Sequence, residues 1–458
     1  MPNRWSLAEM ARRLNARQVS AVEVTEAHLR HIARVNPDLR AFTVVLAEEA
    51  LRTAERLDAE APARPLHGIP VTIKDSFDIA GVPTHCGSRL RLEHRAGADA
   101  TAVRRLREAG AVILGKTNCP EFLANYETDN AITGWTANPW DRSRSAGGSS
   151  GGEAAAIAAH CSAGGIGSDG GGSIRVPAHF CGIAGLKPTP GRVSAAGHFP
   201  EIAHPGGLLG VGGPMARTAE DVRLLFRVLA GHDSQDPFSA PVPLRDLPAP
   251  TCVGVAEQFA SVPVQDSARV AVRKAAAMLA ELDIQTQPIN WKGFETAPEQ
   301  WWFFFAELPA PFVRELLSGK EDVAHWTGTE LFDMVERQRR ISGTEVVDRL
   351  GYRDRMRGAL LQRMENTPVL LMPVCGVTAF QPRERRWPTP DGDIELRDAM
   401  APATPFNLLG LPALTIPMDV TREGLPVGVQ LVGRPWEEEM LLDLGVRIEQ
   451  VRGRFPEP

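Results

Sequence analysis

Residues 145–182 read SAGGSSGGEAAAIAAHCSAGGIGSDGGGSIRVPAHFCG and hold eleven glycines and six serines. Each glycine gives up more backbone freedom on folding than any other residue, so such a density needs a structural reason. A flexible Gly/Ser linker is one candidate, but linkers carry no core-forming pattern. Here EAAAIAAH supplies strong helix formers, and SIRVPAHFCGIAGLKP supplies apolar anchors. The stretch therefore reads as folded chain whose turns need bare backbone, either to cradle a phosphate or to bind a charge developing in a hydrolytic reaction.

The flanking sequence sets the fold. HGIPVTIKDSF at 67–77 and GLPVGVQLVG at 424–433 read as strands. ATAVRRLREAG at 100–110 reads as a helix stopped by Gly110, followed by the buried strand AVILGK. TAEDVRLLFRVLAG at 218–231 repeats the pattern, capped by Thr218. SLAE at Ser6–Glu9 and SAVE at Ser20–Glu23 match the capping box, and the second opens a long helix that should fade at Pro37. Strands and helices alternate, which predicts an α/β fold with a mixed, mostly buried β-sheet covered by helices on both faces. Residues 1–458 read as a single large unit. Its core spans about 60–230, a more irregular and proline-rich segment about 233–390, and C-terminal strands return to the core sheet.

The chain has 458 residues and a net charge of −6, with no block of five or more like charges, which argues against sequence-independent nucleic-acid binding. No apolar run approaches the roughly 18 residues of a membrane span, and MPNRWSLAEMARRLN has no apolar signal core. The six cysteines are scattered without a C-x-x-C pair, as expected of reduced thiols in a cytoplasmic protein, with no metal site and no cofactor.

Three chemistries compete for the glycine stretch. Phosphate binding lacks G-x-x-x-x-G-K-[ST], and GGIGSDGGGS is not followed by the acid a dinucleotide fingerprint requires. A nucleophile elbow fits Gly147–Gly151, but its triad needs a late histidine. The histidines after it are His160, His179, His198, His204, His232 and His325, and 133 residues follow the last. The third is a serine activated by a neutral lysine. Lys74 ends an apolar strand, so burial would carry it inward and favour its uncharged form. The alternatives are a lysine snorkelling to solvent or paired with Asp75.

GGSSGGEAAAIAA followed by GSDGGGSIRVPAHFCGIAGLKPTPGR resembles the amidase signature family. GIPVTIKD and GKTNCPEF before it, and TPFNLLGLPALTIP and PVGVQLVG after it, are similar to that family in the same order. The likeness is densest over about residues 60–230. It implies hydrolysis of a carboxylic amide through a serine acyl-enzyme. In that scheme Lys74 is the base, Ser149 the bridging serine after a cis peptide, and Ser173 the nucleophile. Gly170, Gly171 and Gly172 become the oxyanion hole, with a helix beginning in SIRVPAHF adding a favourable dipole. Asp169 and Arg175 would fix the loop. Ser150 would bond locally at the start of the following helix, with a supporting part in the relay left open. Where many relatives carry a bulkier residue this chain has Gly170, which predicts a looser loop.

Substrate contacts are expected from Leu123 in GKTNCPEFLANYE and from the segment after residue 230. There the run WWFFF, Trp301–Phe305, either lines an acyl pocket or builds core. The resemblance leaves three readings open. One is a stand-alone amidase acting on a small-molecule amide, with a homodimer possible. The second is the glutaminase component of a tRNA-dependent amidotransferase, which works with partner subunits. The third is a glycine-rich nucleotide-binding protein without catalysis.

Overall fold

A computed structural model describes residues 1–203 and 206–458; His204 lies outside them. Among the described residues the strands, in chain order, are β1 Phe42–Val45, β2 Pro70–Lys74, β3 Val112–Thr117, β4 Gly164–Asp169, β5 Ala184–Lys187 and β6 Val211–Ala216. They continue with β7 Cys252–Val255, β8 Gln285–Pro288, β9 Val369–Pro373, β10 Arg386–Trp387, β11 Ile394–Glu395, β12 Ala413–Val420 and β13 Pro426–Gly433. All but β10 and β11 join one 11-stranded sheet in the order β1-β3-β2-β4-β6-β5-β12-β13-β9-β7-β8. Pairing is mixed. β2 runs parallel to β3 and β4, and β7 runs parallel to β8 and β9; the remaining pairs are antiparallel.

Successive side chains of a strand point to opposite faces. Every residue of β2, β3, β4 and β13 is buried, so helices and loops cover both faces of the sheet there, as expected for an α/β fold. The edge strand β8, QTQP, is polar, exposed along its length and closed by a proline, which discourages pairing with a further strand.

Local signals place the helices. Ser20 and Glu23 form a complete capping box, and the helix they open, Ala21–Leu39, runs two residues past Pro37 to a left-handed cap at Arg40. Proline removes one donor there, in a turn where the helix is already ending. Thr218 caps Ala219–Leu229 by accepting from the Asp221 amide. The glycine stretch contributes helix Gly151–Ala158, buried at all eight positions, then β4, then helix Arg175–Cys181.

Apolar packing divides in two. A larger aliphatic cluster sits around β2–β6, β12 and β13. A second cluster, rich in aromatic rings, is built mostly from residues 291–411 and includes Trp301, Trp302, Phe303 and Phe304. Among the described residues no helix is long and apolar enough to cross a membrane. Nor does any group of three or more His, Cys, Asp or Glu side chains converge as a metal site.

Candidate active site

The parallel strands β2 and β4 are neighbours, and both end at the same edge of the sheet, where α/β folds commonly place their chemistry. Lys74 is the last residue of β2 and Asp169 the last of β4. Because β2 lies between β3 and β4 and is buried on both faces, the Lys74 side chain is fully buried. Asp75 does not pair with it. That carboxylate forms a buried ion pair with Lys116 at 2.8 Å.

The Lys74 ammonium reaches three hydroxyls and a carbonyl. Its Nζ lies 2.7 Å from Ser149 Oγ, 2.8 Å from Ser150 Oγ, 3.0 Å from Ser168 Oγ and 3.3 Å from the Ser168 carbonyl. All are neutral, so burial dominates and brings the lysine pKa down to about 8. Beneath it the buried Glu153 accepts from the Thr72 and Thr117 hydroxyls at 2.5 and 2.7 Å, joining helix 151–158 to β2 and β3. Burial pushes the Glu153 carboxyl up to about 7.

Ser149 follows a cis Gly148–Ser149 peptide bond. Position 148 has to be glycine, since a Cβ there would stand 2.6 Å from the Asn125 carbonyl oxygen and 2.8 Å from the Glu127 amide nitrogen. Local capping is not what Ser150 does: its side chain makes no cap bond. The first amides of that helix are satisfied from a different loop, Gly151 by Thr128 Oγ1 and Gly152 by the Asn118 carbonyl. Ser150 Oγ is thereby left to accept from Lys74 and to donate to the Ser168 carbonyl at 3.2 Å. Ser168, which no sequence motif singles out, is a full member of this cluster.

Asp169 and Arg175 close the loop that carries Ser173. The Asp169 carboxylate accepts from the amides of Gly172 at 2.8 Å and Ile174 at 3.0 Å, and from Arg175 Nε and Nη2 at 3.1 and 3.0 Å. Burial acts to raise its pKa, but Arg175 and these hydrogen bonds outweigh it and hold the carboxyl well below the usual range. Arg175 also donates to Asn407 Oδ1, Gln430 Oε1 and the Ala403 carbonyl. Asn407 Nδ2 donates to Asp169 Oδ1 at 2.9 Å and to the carbonyls of Asp169 and Leu209. Asn407 lies in TPFNLLGLPALTIP, a motif that by itself gives no sign of this tie to the loop.

Gly172 departs from its expected role. Its N–H is engaged by Asp169, so the loop amides without a protein partner among the described residues are those of Gly170, Gly171 and Ser173. Two further groups, also not apparent in the sequence, hold the loop's carbonyls. Tyr126 OH donates to Gly171 O, and Trp301 Nε1 donates to Gly170 O, both at 2.8 Å.

Ser149, Ser168, Gly170 and Ser173 line one cavity of about 440 Å³, together with Leu123. Its other walls are mainly apolar and include Phe122, Ile202, Phe305, Val313 and Leu316. Phe122 and Leu123 both take left-handed backbone conformations, which turns this short segment toward the cavity. The run 301–305 serves both expected uses: Trp301–Phe304 are buried in the aromatic cluster, and Phe304 and Phe305 also line the cavity. Among the described lining residues there is no lysine or arginine. His198 also lines the cavity; its Nδ1 lies 2.7 Å from the Pro200 carbonyl, and burial pulls its pKa down to about 3. No histidine hydrogen-bonds to Ser149 or Ser150 among the described residues, and their partner is Lys74, so the nucleophile-elbow arrangement is not formed.

The comparisons agree with this architecture. A family model described as Amidase matches residues 23–442. The A-subunit of the glutamyl-tRNA(Gln) amidotransferase of Roseiflexus castenholzii is 37% identical, over 98% of this chain and 96% of its own. A solved structure described as part of a vestigial protein complex that reveals the evolutionary origins of an s-triazine catabolic enzyme superposes with a TM-score of 0.89. It is 29% identical and covers 98% of this chain and 99% of its own. A bacterial aryl acylamidase of the amidase signature family superposes at 0.86, is 25% identical, and covers 97% and 96%. A non-catalytic nucleotide binder is not what these relatives are. The chain belongs to the amidase signature family and is an enzyme of the amide-hydrolysing class.

Proposed function

We propose that the protein hydrolyses a carboxylic amide to an acid and an amine or ammonia, through an acyl-enzyme on Ser173. The observation that carries this is a fully buried lysine whose Nζ lies 2.7 Å from the hydroxyl of Ser149, a serine that shares a cavity with Ser173. A neutral lysine has two N–H bonds and one lone pair, so one neighbouring hydroxyl must donate into it. Ser150 gives its proton to the Ser168 carbonyl, which leaves the hydroxyls of Ser149 and Ser168 for that part, and Ser149 is the nearer, at 2.7 Å against 3.0 Å.

As Ser173 Oγ attacks the carbonyl carbon, its proton passes to Ser149 while the Ser149 proton passes to Lys74. The amides of Gly170, Gly171 and Ser173 hold the oxyanion. When the intermediate collapses the C–N bond breaks, and the proton returns from Lys74 through Ser149 to the leaving nitrogen. Water then attacks the acyl carbon by the same route and restores all three residues. Reaction with a fluorophosphonate should label Ser173, and Lys74→Ala should abolish turnover. Unlabelled, well-folded protein, or full activity in Lys74→Ala, would sink the scheme.

A second reading has its own support. The curated relatives carry the name of the glutamyl-tRNA(Gln) amidotransferase A-subunit, and that name favours glutamine as the amide more directly than it favours a stand-alone amidase. The cavity speaks for an apolar amide instead. Among the described residues it offers no cation for an α-carboxylate, and its one unpaired carboxylate, Glu201, is exposed at the surface. Turnover of glutamine, raised by a co-purifying partner, would establish the second reading. Preferential turnover of benzoyl or hexanoyl amides by the chain alone would establish the first.

A further inference from the structure

Three consecutive glycines would leave the oxyanion loop soft, yet side chains from elsewhere grip two of its three carbonyls. Trp301 Nε1 donates to Gly170 O and Tyr126 OH to Gly171 O, each at 2.8 Å and each from a remote segment, 131 and 45 residues away. Across a trans peptide the C=O and the following N–H point in opposite directions, so fixing a carbonyl fixes the next amide. The Tyr126 contact therefore aims the Gly172 N–H, which meets Asp169. The Trp301 contact aims the Gly171 N–H, which has no protein partner among the described residues. The indole also lies flush against the loop: a Cβ at Gly171 would stand 2.3 Å from Trp301 Cζ2. At Gly170 a Cβ would meet only Phe305 Cε2, at 3.7 Å, so the Phe305 ring stands where a larger residue at 170 would reach. Phe305 stacks on Trp301 with centroids 4.5 Å apart and planes 17° from parallel, and its ring lines the cavity.

We propose that Trp301 is a positioning residue for the oxyanion-binding amides, acting through the Gly170 carbonyl, and that the Phe305 stack couples it to whatever fills the cavity. This rests on the acyl-enzyme reading above. Trp301→Phe keeps an aromatic ring and removes the donor. With a p-nitroanilide of an apolar acid, its kcat should fall roughly 10- to 100-fold while KM stays within about twofold, because the oxyanion develops only after binding, in the transition state and the tetrahedral intermediate. The rate constant for fluorophosphonate labelling should fall in parallel. Phe305→Leu leaves the indole donor in place and should raise KM with a smaller loss of kcat.

Urea midpoints for both variants separate these effects from loss of fold. If Trp301→Phe keeps wild-type kcat and labelling, or changes KM alone, the inference is overturned. If the wild-type chain is neither labelled nor active, the underlying reading fails instead.

Discussion

Residues 149–173 and residues 297–317 line the same cavity, yet they are held in place by different means. The first wall is set by backbone. A Cβ at Gly152 would fall 2.4 Å from the Asn118 amide, and one at Gly165 would fall 2.1 Å from the Thr72 carbonyl. The Ser173 loop is tied by a buried Asp169–Arg175 pair and by Asn407. The second wall is set by side-chain packing and thins toward solvent: Phe312 is 68% exposed and Leu316 49%. The proposed chemistry, which depends on ångström-level placement, sits where, Gly170 aside, a Cβ would crowd its neighbours, and the proposed recognition sits where one apolar ring can replace another.

That contrast can be broken from the first wall. Ser173→Ala removes the proposed nucleophile and should lower kcat at least about 10⁴-fold without lowering the urea midpoint, as steady-state kinetics and denaturation would show. Asp169→Asn leaves Arg175 buried without its charge partner and should cost about 3–5 kcal/mol in chemical unfolding, because an unpaired buried charge is far worse than a missing pair.

The lysine gives a pH signature. Only neutral Lys74 can accept a proton, and with its pKa brought down to about 8 the ammonium form dominates below that pH. The logarithm of kcat/KM should therefore climb with unit slope as pH rises toward 8 and level off above it. A flat profile between pH 6 and 8 would remove Lys74 as the base.

The second wall should yield more gently. Phe305→Ala should raise KM for an aryl amide about tenfold while a small aliphatic amide is little changed, since one ring's worth of burial is lost. The smallest effect is expected at the one loop glycine with space around it. Gly170→Ala places a Cβ in ordinary contact with Phe305 and should alter stability by less than about 0.5 kcal/mol. A large loss there would mean that the two walls are more tightly coupled than their contacts imply.

The parts legible in the sequence are those written in local pattern. The helix caps at Ser20 and Thr218, the buried strand ending at Lys74 and the spacing of Ser149 and Ser173 all lie within short windows. What stays hidden lies in bonds spanning tens to hundreds of residues. Trp301 to Gly170 and Asn407 to Asp169 leave no periodic trace, and 301 lies in a segment whose aromatic run reads equally as core. Ser150 reads as a helix cap from its position alone, but the cap comes from Thr128 and Asn118, on another loop. Gly172 reads as an oxyanion donor because glycine spacing says nothing about which amides a neighbouring carboxylate has claimed.

The strand order also bears on how the molecule comes into being. Of the strands in the sheet, β12 and β13 are made last, yet they lie mid-sheet, joining β5 to β9. At about 5–20 residues per second, a ribosome takes on the order of 10–50 s to travel from Ser173 to Gly433. Through that interval β5 presents a raw edge, and the nascent loop around Asp169 waits for Asn407. Catalytic competence should therefore arrive late and all at once, only after Gly433 has emerged, and nascent chains stalled short of residue 434 should be silent and adhesive.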